Sequence, residues 1–221
     1  MISASVALVM ERAGQFVYGH PPTLAFTREA CRSLIARGIP GDFVECGVAC
    51  GAHPAVMAAV VDEARADRRI HLFDSFEGIP VAGPNDTEQP GLPQSQRRDG
   101  ALETTGVSAC SLADVRLNFL SWGASDERCV FHPGWFQHTV AEAAKTLGPI
   151  AYLRLDGDLY ESTRVCLEAL YPLVSPGGLV VVDDYALSGC RKAVDGYLAA
   201  RGETVEIVPI QGGGGPVWWR R

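Results

Sequence analysis

Three aspartates follow two apolar runs and are the residues best suited to metal chemistry. Asp156 ends one run, and the adjacent pair Asp183 and Asp184 ends another. If these runs are neighbouring strands of a parallel sheet, three carboxylates converge at one edge. A hard divalent cation prefers such oxygen ligands, so the spacing predicts a metal site. The alternatives are that one aspartate of the pair is only solvated and that nearby Asp158 caps the next helix.

A glycine-bearing turn precedes this region. Residues 42–51 run from an apolar strand through Gly47 and Gly51 into a helix. Glycines let a ligand approach the backbone closely, and a helix start offers free N–H groups. Glu45 beside the turn suits a cationic ligand group, such as the amino group of S-adenosylmethionine. The turn lacks the GxGxxG pattern of dinucleotide sites, and an ordinary β–α connection is the alternative.

A second acidic motif begins at Asp74, which is followed by Ser75 at the end of the next predicted strand. An acidic residue at the end of the second strand, about thirty residues after the first turn motif, can accept both hydroxyls of a ribose. A solvated strand-end aspartate is the alternative for this motif taken singly. Together with the glycine turn, it favours a nucleoside ligand.

Apolar strands alternate with helical patterns along the chain, as in a parallel α/β sheet. The predicted strands are 42–46, 70–73, 129–132, 150–155, 179–182, 205–210 and 217–219. The predicted helices are 23–37, 52–64, 112–120, 136–147, 159–170 and 190–200. The last two strands are expected to form a hairpin. The long polar loop 80–100 is expected to be mobile without acceptor and to cover it when bound.

Composition narrows the class of protein. The 221 residues are 47% hydrophobic and 20% charged, with a formal charge of −7 and no basic block. These values predict a globular chain that binds neither nucleic acid nor membrane. The seven cysteines are scattered without a CxxC pair, which indicates reduced thiols in a cytoplasmic protein. We expect one domain, with a helical cap at 1–40 and the core at 41–221.

These motifs together resemble the macrocin O-methyltransferase (TylF-like) family. The likeness is carried by residues 41–51, 74–78, 134–136, 155–163 and 175–185. It implies a class I, Rossmann-like methyltransferase fold with a mostly parallel seven-stranded sheet and a C-terminal antiparallel hairpin. It also implies S-adenosylmethionine and Mg²⁺ as cofactors. The acceptor would be a hydroxyl of a sugar or phenol in an antibiotic-type natural product.

The resemblance assigns roles by position. Asp156, Asp183 and Asp184 would hold the metal, and Asp156 would also accept the proton. The cofactor would be lined by Glu45, Gly47, Gly51, Asp74, Ser75, Gly134, Trp135 and Phe136. The segment around Tyr18 would close over the cofactor.

The chain departs from the family pattern at Ala49 and Cys50, and at His138, where an aspartate is usual. His138 is interpreted as a helix surface residue and His53 as packing in the turn. Tyr160 and Tyr185 are left open between packing and lining the acceptor pocket. Trp218 and Trp219 are expected to be strand and core residues.

Two other functions stay open from the sequence. One is a metal-dependent hydrolase, and the other is a non-catalytic nucleoside-binding module. The oligomeric state is also left open, a homo-oligomer included.

Overall fold

The computed structural model of the chain describes residues 4–16, 21–86 and 97–221. A seven-stranded sheet lies at its centre. The strands are β1 (Asp42–Cys46), β2 (Ile70–Asp74), β3 (Cys129–Pro133), β4 (Ile150–Leu155), β5 (Val174–Val182), β6 (Val208–Pro209) and β7 (Val217–Arg220). The described α-helices are α1 (Ala4–Ala13), α2 (Pro21–Ala36), α3 (Ala52–Glu63), α4 (Leu112–Trp122), α5 (Phe136–Ala144), α6 (Tyr160–Leu170) and α7 (Ser188–Ala200).

The order of the strands creates a ligand site. They lie in the order β3-β2-β1-β4-β5-β7-β6. β1 pairs in parallel with both β2 and β4, whereas β7 runs antiparallel to β5 and β6. The connection therefore reverses direction between β1 and β4, and ligands of open α/β sheets bind at the carboxyl ends of the strands at such a point. The predicted fold class, with its C-terminal antiparallel hairpin, is confirmed.

Helices cover both faces of the sheet. Buried side chains of α1, α2, α3 and α4 form one apolar cluster with one face, and those of α5, α6 and α7 form another with the opposite face. α3 is buried on all sides from Ala52 to Val61, because α1 and α2 pack against it. The start of α3 is therefore fixed firmly at the switch point.

β4 is the central strand, and all six of its residues are buried. A parallel strand covered on both faces reads as a continuous apolar run. Ile150–Leu155 follows that rule except at Arg154, which is 2% exposed. A guanidinium buried this deeply needs acidic partners, and the site provides them.

The observed elements differ from the predicted ones at the termini and around β5. α1 lies within the helical cap expected at 1–40, but its bounds were not predicted, although Val6, Val9 and Ala13 lie at helical spacing and are buried. β5 begins at Val174 because that residue pairs with Ile150 across a register shift. In the described ranges, no helix has the length and apolar character needed to cross a membrane.

Candidate active site

A cavity of about 390 Å³ opens at the carboxyl ends of the central strands, a volume typical of small-molecule sites. Six of its lining residues are carboxylic acids: Glu45, Asp74, Asp156, Asp158, Asp183 and Asp184. Within the described chain, Arg154 is the single Lys or Arg that lines it. This imbalance of charge favours cationic ligands.

Gly47 brings the turn after β1 against the end of β4. Its φ is 95°, and a Cβ built there would lie 1.7 Å from the carbonyl oxygen of Asp156. No side chain fits at that distance, so glycine is required here by the approach of the turn to β4, whereas the sequence argument was the approach of a ligand. Gly51 serves packing instead: its Cβ would lie 3.0 Å from Val115 on α4. Gly51 is absent from the described lining of the cavity.

Asp74 ties the glycine turn to the end of β2. Its carboxylate accepts hydrogen bonds from the backbone N–H groups of Val48 (2.6 Å), Ala49 (3.2 Å) and Phe76 (2.7 Å). Burial nevertheless raises the pKa of Asp74, because desolvation outweighs these donors. A carboxylate has about four acceptor sites, so a ligand hydroxyl can still bind. Ser75 also lines the cavity, and its hydroxyl donates to the carbonyl oxygen of Gly78.

Three aspartates form a compact oxygen cluster. Carboxylate oxygens of Asp156, Asp158 and Asp184 all lie within 4.8 Å of one another. The backbone N–H of Asp158 donates to Asp184 at 2.8 Å, and Asp158 has a φ of 57°. The interpretation of Asp158 as a helix cap is therefore wrong: the N-cap of α6 is Leu159, without a side-chain hydrogen bond. Asp158 instead belongs to the acidic cluster.

The cluster holds its protons tightly. Burial, followed by repulsion from Asp183, raises the pKa of Asp156 well above its ordinary value. Burial, followed by repulsion from Asp158, does the same for Asp184. The pKa of Asp158 rises to about 7, through burial and then the charge of Asp156. A bound cation would offset the desolvation and the mutual repulsion of these groups.

Arg154 is the site residue that the motif analysis did not identify. Its Nε donates to Glu45 at 2.9 Å, and its Nη2 lies 2.8 Å from oxygens of both Asp156 and Asp183. Asp183 thus faces the guanidinium, whereas the three-aspartate cluster contains its neighbour Asp184. The signal available in the sequence was a lone charge inside the apolar run of β4.

Glu45 keeps free acceptor capacity despite its ion pair. It is 1% exposed, and its Oε2 has no hydrogen-bond partner in the part of the chain that is described. Burial raises the pKa of Glu45 to about 8, although Arg154 opposes the rise. Because Arg154 is shared among three carboxylates, its charge offsets only part of the desolvation. A cationic ligand group against Oε2 would stabilise the ionised form.

Trp135 and Phe136 line the cavity beyond β3. Gly134 positions them: its N–H donates to the Asp74 carbonyl oxygen at 2.8 Å, and its φ is 130°. A Cβ on Gly134 would meet Thr139 at 3.1 Å, so this glycine shapes the turn. Gly134 is not part of the described cavity lining.

The remaining candidates divide between the surface and the cavity. His138 is exposed on α5, whereas His53 is buried and lines the cavity. Tyr185 donates its hydroxyl to Asp195, and the ring of Tyr160 lies beneath Lys192. Neither tyrosine is among the described lining residues.

The outcomes for the other residues are mixed. Trp219 is in the core, and Trp218 is on β7 against Phe26, as expected. All seven cysteines are free. Tyr18 and residues 87–96 of the long loop lie outside the described residues.

Comparison with known proteins identifies the family. The family described as Macrocin-O-methyltransferase (TylF) matches residues 22–221. The 8-demethyl-8-(2,3-dimethoxy-alpha-L-rhamnosyl)-tetracenomycin-C 4'-O-methyltransferase of Streptomyces olivaceus is 43% identical over 190 residues, which are 85% of this chain and 69% of that relative. The demethyldecarbamoylnovobiocin O-methyltransferase of Streptomyces niveus is 38% identical over 197 residues, which are 88% of this chain and 71% of that relative.

A solved structure agrees with the sequence relatives. The structure of the O-methyltransferase NovP superposes with a TM-score of 0.77 at 36% identity, covering 91% of this chain and 80% of that one. The predicted enzyme class, an S-adenosylmethionine-dependent O-methyltransferase, is confirmed by these relatives. The chain belongs to the TylF family of macrocin O-methyltransferases.

Proposed function

We propose that the chain transfers the methyl group of S-adenosylmethionine to a hydroxyl of a sugar or phenol in a natural-product scaffold, with Mg²⁺ held by the acidic cluster. The observation that carries the proposal is that, among the residues that the structure describes, six carboxylic acids face one cavity with a single guanidinium. A cationic methyl donor and a divalent cation together would balance that charge.

The donor chemistry of the cluster fits Mg²⁺. The possible metal ligands in this cluster are all carboxylate oxygens, which hard cations prefer. They belong to Asp156, Asp158 and Asp184. Asp156 and Asp184 are proposed as ligands on both the family pattern and the geometry. The third ligand is Asp183 on the family pattern, whereas proximity favours Asp158, because Asp183 is engaged by Arg154.

The S-adenosylmethionine site is proposed at the glycine turn. Glu45 would face the ammonium group, and Asp74 with Ser75 would face the ribose. Trp135 and Phe136 would pack against the adenine. Gly47 would present its backbone to the cofactor in the cavity that it lines, and Gly51 and Gly134 would support the site by shaping its turns.

Asp156 is proposed as the proton acceptor as well as a ligand. Mg²⁺ supplies a Lewis acid that lowers the pKa of a coordinated hydroxyl. Asp156 lies at the end of β4 beside Gly47, where its carboxylate can take the proton of a hydroxyl held for in-line attack on the methyl group. Asp158 is the geometric alternative, because its carboxylate belongs to the same cluster and its pKa is about 7.

The acceptor class follows from the relatives. One is named for a rhamnosyl tetracenomycin, one for a novobiocin precursor, and a third, from Micromonospora griseorubida, for mycinamicin III. A diol, or a hydroxyl beside another oxygen, could bind the metal through two oxygens, which favours sugars and catechol-like phenols. The expected partners are thus small molecules with hydroxyl groups.

Calorimetric titration of S-adenosylmethionine, with and without Mg²⁺, tests the proposal. Binding followed by a mass increase of one methyl group on glycosylated or phenolic acceptors supports it. Chelation with EDTA should abolish turnover, and Mg²⁺ should restore it. Full turnover after exhaustive chelation would remove the metal from the mechanism. Absence of binding would favour a hydrolase, and binding without turnover on any acceptor would favour a binding module.

A further inference from the structure

His53 is a buried residue of the cavity that the proposed function leaves without a role. It lies in the first turn of α3 and is 7% exposed. It lines the cavity together with Glu45 and Arg154. Its Nδ1 lies 2.8 Å from Thr27 Oγ1, and the structure describes no partner for its Nε2. The ring is therefore anchored on one side and free on the other.

Hydrogen-bond accounting assigns the proton on this ring. Thr27 Oγ1 also lies 3.2 Å from the hydroxyl of Tyr152, for which no other partner is described. If His53 donated from Nδ1 to Thr27, Thr27 could donate to Tyr152, which leaves the buried Tyr152 proton without a described acceptor. Thr27 could instead accept from both groups, which leaves its own proton without one. The reverse direction satisfies all three groups: Tyr152 donates to Thr27, and Thr27 donates to Nδ1. Nδ1 is then an acceptor, and the proton is on Nε2.

The protonation state of the ring agrees with this assignment. Burial, and then the charge of Arg154, lowers the pKa of His53 well below its ordinary value. The ring is therefore neutral at physiological pH and has one N–H to donate. That donor is on the edge of the ring opposite Thr27.

Two residues that line the same cavity as His53 each have a buried polar atom without a partner in the described chain. Glu45 Oε2 is a buried acceptor, and Arg154 Nη1 is a buried donor. An unpaired buried polar atom is destabilising, and a ligand that pairs it removes that penalty. One acceptor and two donors on the wall of one cavity match a ligand that carries an ammonium and a carboxylate, which is the form of an α-amino acid.

We propose that His53 binds the carboxylate of the amino-acid end of S-adenosylmethionine through Nε2–H, beside Glu45, which faces the ammonium. This inference rests on the proposed function. Thr27 and Tyr152 act as positioning residues, because they fix which ring nitrogen carries the proton. A neutral donor recognises the carboxylate without adding a second positive charge next to Arg154.

Two matched ligands test the contact by calorimetry. One is S-adenosylhomocysteine, and the other is 5′-deoxy-5′-(3-aminopropylthio)adenosine, which keeps the ammonium and lacks the carboxylate. We expect His53→Ala to weaken S-adenosylhomocysteine about tenfold or more, the effect of losing a hydrogen bond to a charged group. The affinity of His53→Ala for the carboxylate-free analogue should differ from the wild-type affinity by less than about twofold. His53→Gln, which retains a donor, should recover part of the lost affinity.

The outcomes separate this inference from the proposed function. If wild-type protein binds neither ligand, the proposed cofactor is wrong. If wild-type protein binds both and His53→Ala weakens neither, or weakens both equally, His53 does not contact the carboxylate. Circular-dichroism melting verifies that each variant is folded.

Nitrogen NMR of the wild-type ring gives an independent readout. We expect one protonated nitrogen, Nε2, at neutral pH, and we expect Thr27→Val to disturb this preference while His53 remains. A ring protonated at Nδ1, or at both nitrogens, would overturn the assignment.

Discussion

Arg154 offsets part of the acidic charge of the cavity that it lines. It is the shared partner of Glu45, Asp156 and Asp183 and is almost wholly buried. Ion pairs of this kind contribute little net free energy, but removing one partner leaves the other charges unpaired and desolvated. The guanidinium is therefore expected to stabilise the fold of the ligand-free chain.

We expect Arg154→Met to lower the free energy of unfolding by roughly 3 kcal/mol. Urea unfolding of the metal-free protein measures the change. The matched control is Arg164→Met on α6, because Arg164 pairs with Glu161 and Glu168 at the surface. That control should change stability by less than about 1 kcal/mol. Equal effects of the two variants would show that Arg154 has no special electrostatic role.

Single aspartate variants identify the metal ligands. Asp156→Asn and Asp184→Asn should each weaken Mg²⁺ binding about tenfold or more, because a charged oxygen ligand is lost. Asp158→Asn and Asp183→Asn decide the third ligand: the true ligand should weaken binding, and the other should not. Calorimetric Mg²⁺ titrations in the presence of S-adenosylhomocysteine measure this.

The control for these variants is Asp195→Asn, because Asp195 bonds Tyr185 outside the cluster. Mg²⁺ affinity should survive that change. S-adenosylhomocysteine affinity should be retained in Asp158→Asn and Asp184→Asn, because the ion pairs of Arg154 link Glu45 to Asp156 and Asp183 instead. Unaltered Mg²⁺ binding in every cluster variant would place the metal elsewhere.

At the scale of elements, the turn between β1 and α3 depends on the contact of Gly47 with β4. We expect Gly47→Ala to destabilise the fold by more than about 1 kcal/mol and to weaken S-adenosylhomocysteine binding, because a Cβ at 1.7 Å from a carbonyl oxygen forces the turn away. Thermal melting and calorimetry check both effects.

Gly196→Ala is the matched control for that variant. Gly196 lies inside α7, and a Cβ there would meet nothing within 4 Å. Alanine should stabilise the helix by up to about 1 kcal/mol and leave ligand binding unchanged. Similar behaviour of the two alanine variants would contradict the steric role of Gly47.

The sequence predicted these elements well where pattern and packing agree. Strands 42–46 and 150–155 were correct at both ends because each is a mainly apolar run with a glycine close to either end. The start of α6 was harder to predict, since an aspartate in the place of Asp158 commonly caps a helix. Asp158 instead has a left-handed conformation, and its backbone N–H donates a hydrogen bond to Asp184. Only the folded sheet brings these two residues together.

At the scale of the whole molecule, proton and metal binding are linked to stability. Asp156, Asp158 and Asp184 have raised pKa values in the folded chain. The folded state therefore retains protons that the unfolded chain releases at lower pH. For these groups, the free energy of unfolding of the metal-free chain falls as pH rises through about 7.

Mg²⁺ should therefore stabilise the chain more at pH 8 than at pH 6.5. At pH 6.5 Asp158, with a pKa of about 7, is mostly protonated, so the cation must displace a proton. Melting temperatures are measured with and without Mg²⁺ at the two pH values. Subtracting the metal-free melting temperature at each pH removes the contribution of other titrating groups. Asp158→Asn should reduce the pH dependence. An equal shift at both pH values would contradict this linkage.

The edge of the sheet was predictable from sequence, but its charge balance was not. Carboxylates at strand ends meet wherever parallel strands are neighbours. Five residues could therefore be placed together in advance: Glu45, Asp74, Asp156, Asp183 and Asp184. Arg154 could not be placed, because a charge inside an apolar run does not indicate what it faces. The orientation of His53 could not be predicted either, because it depends on a contact with Thr27 of α2.

Arg154 also has a consequence for the order in which ligands bind. One guanidinium contacts Glu45 on the proposed cofactor side and Asp156 with Asp183 on the proposed metal side. A cation on either side competes with Arg154 for its carboxylate and leaves the guanidinium freer to pair on the other. The two ligands should therefore be thermodynamically coupled. The factor by which Mg²⁺ changes the affinity for S-adenosylhomocysteine must then equal the factor by which S-adenosylhomocysteine changes the affinity for Mg²⁺.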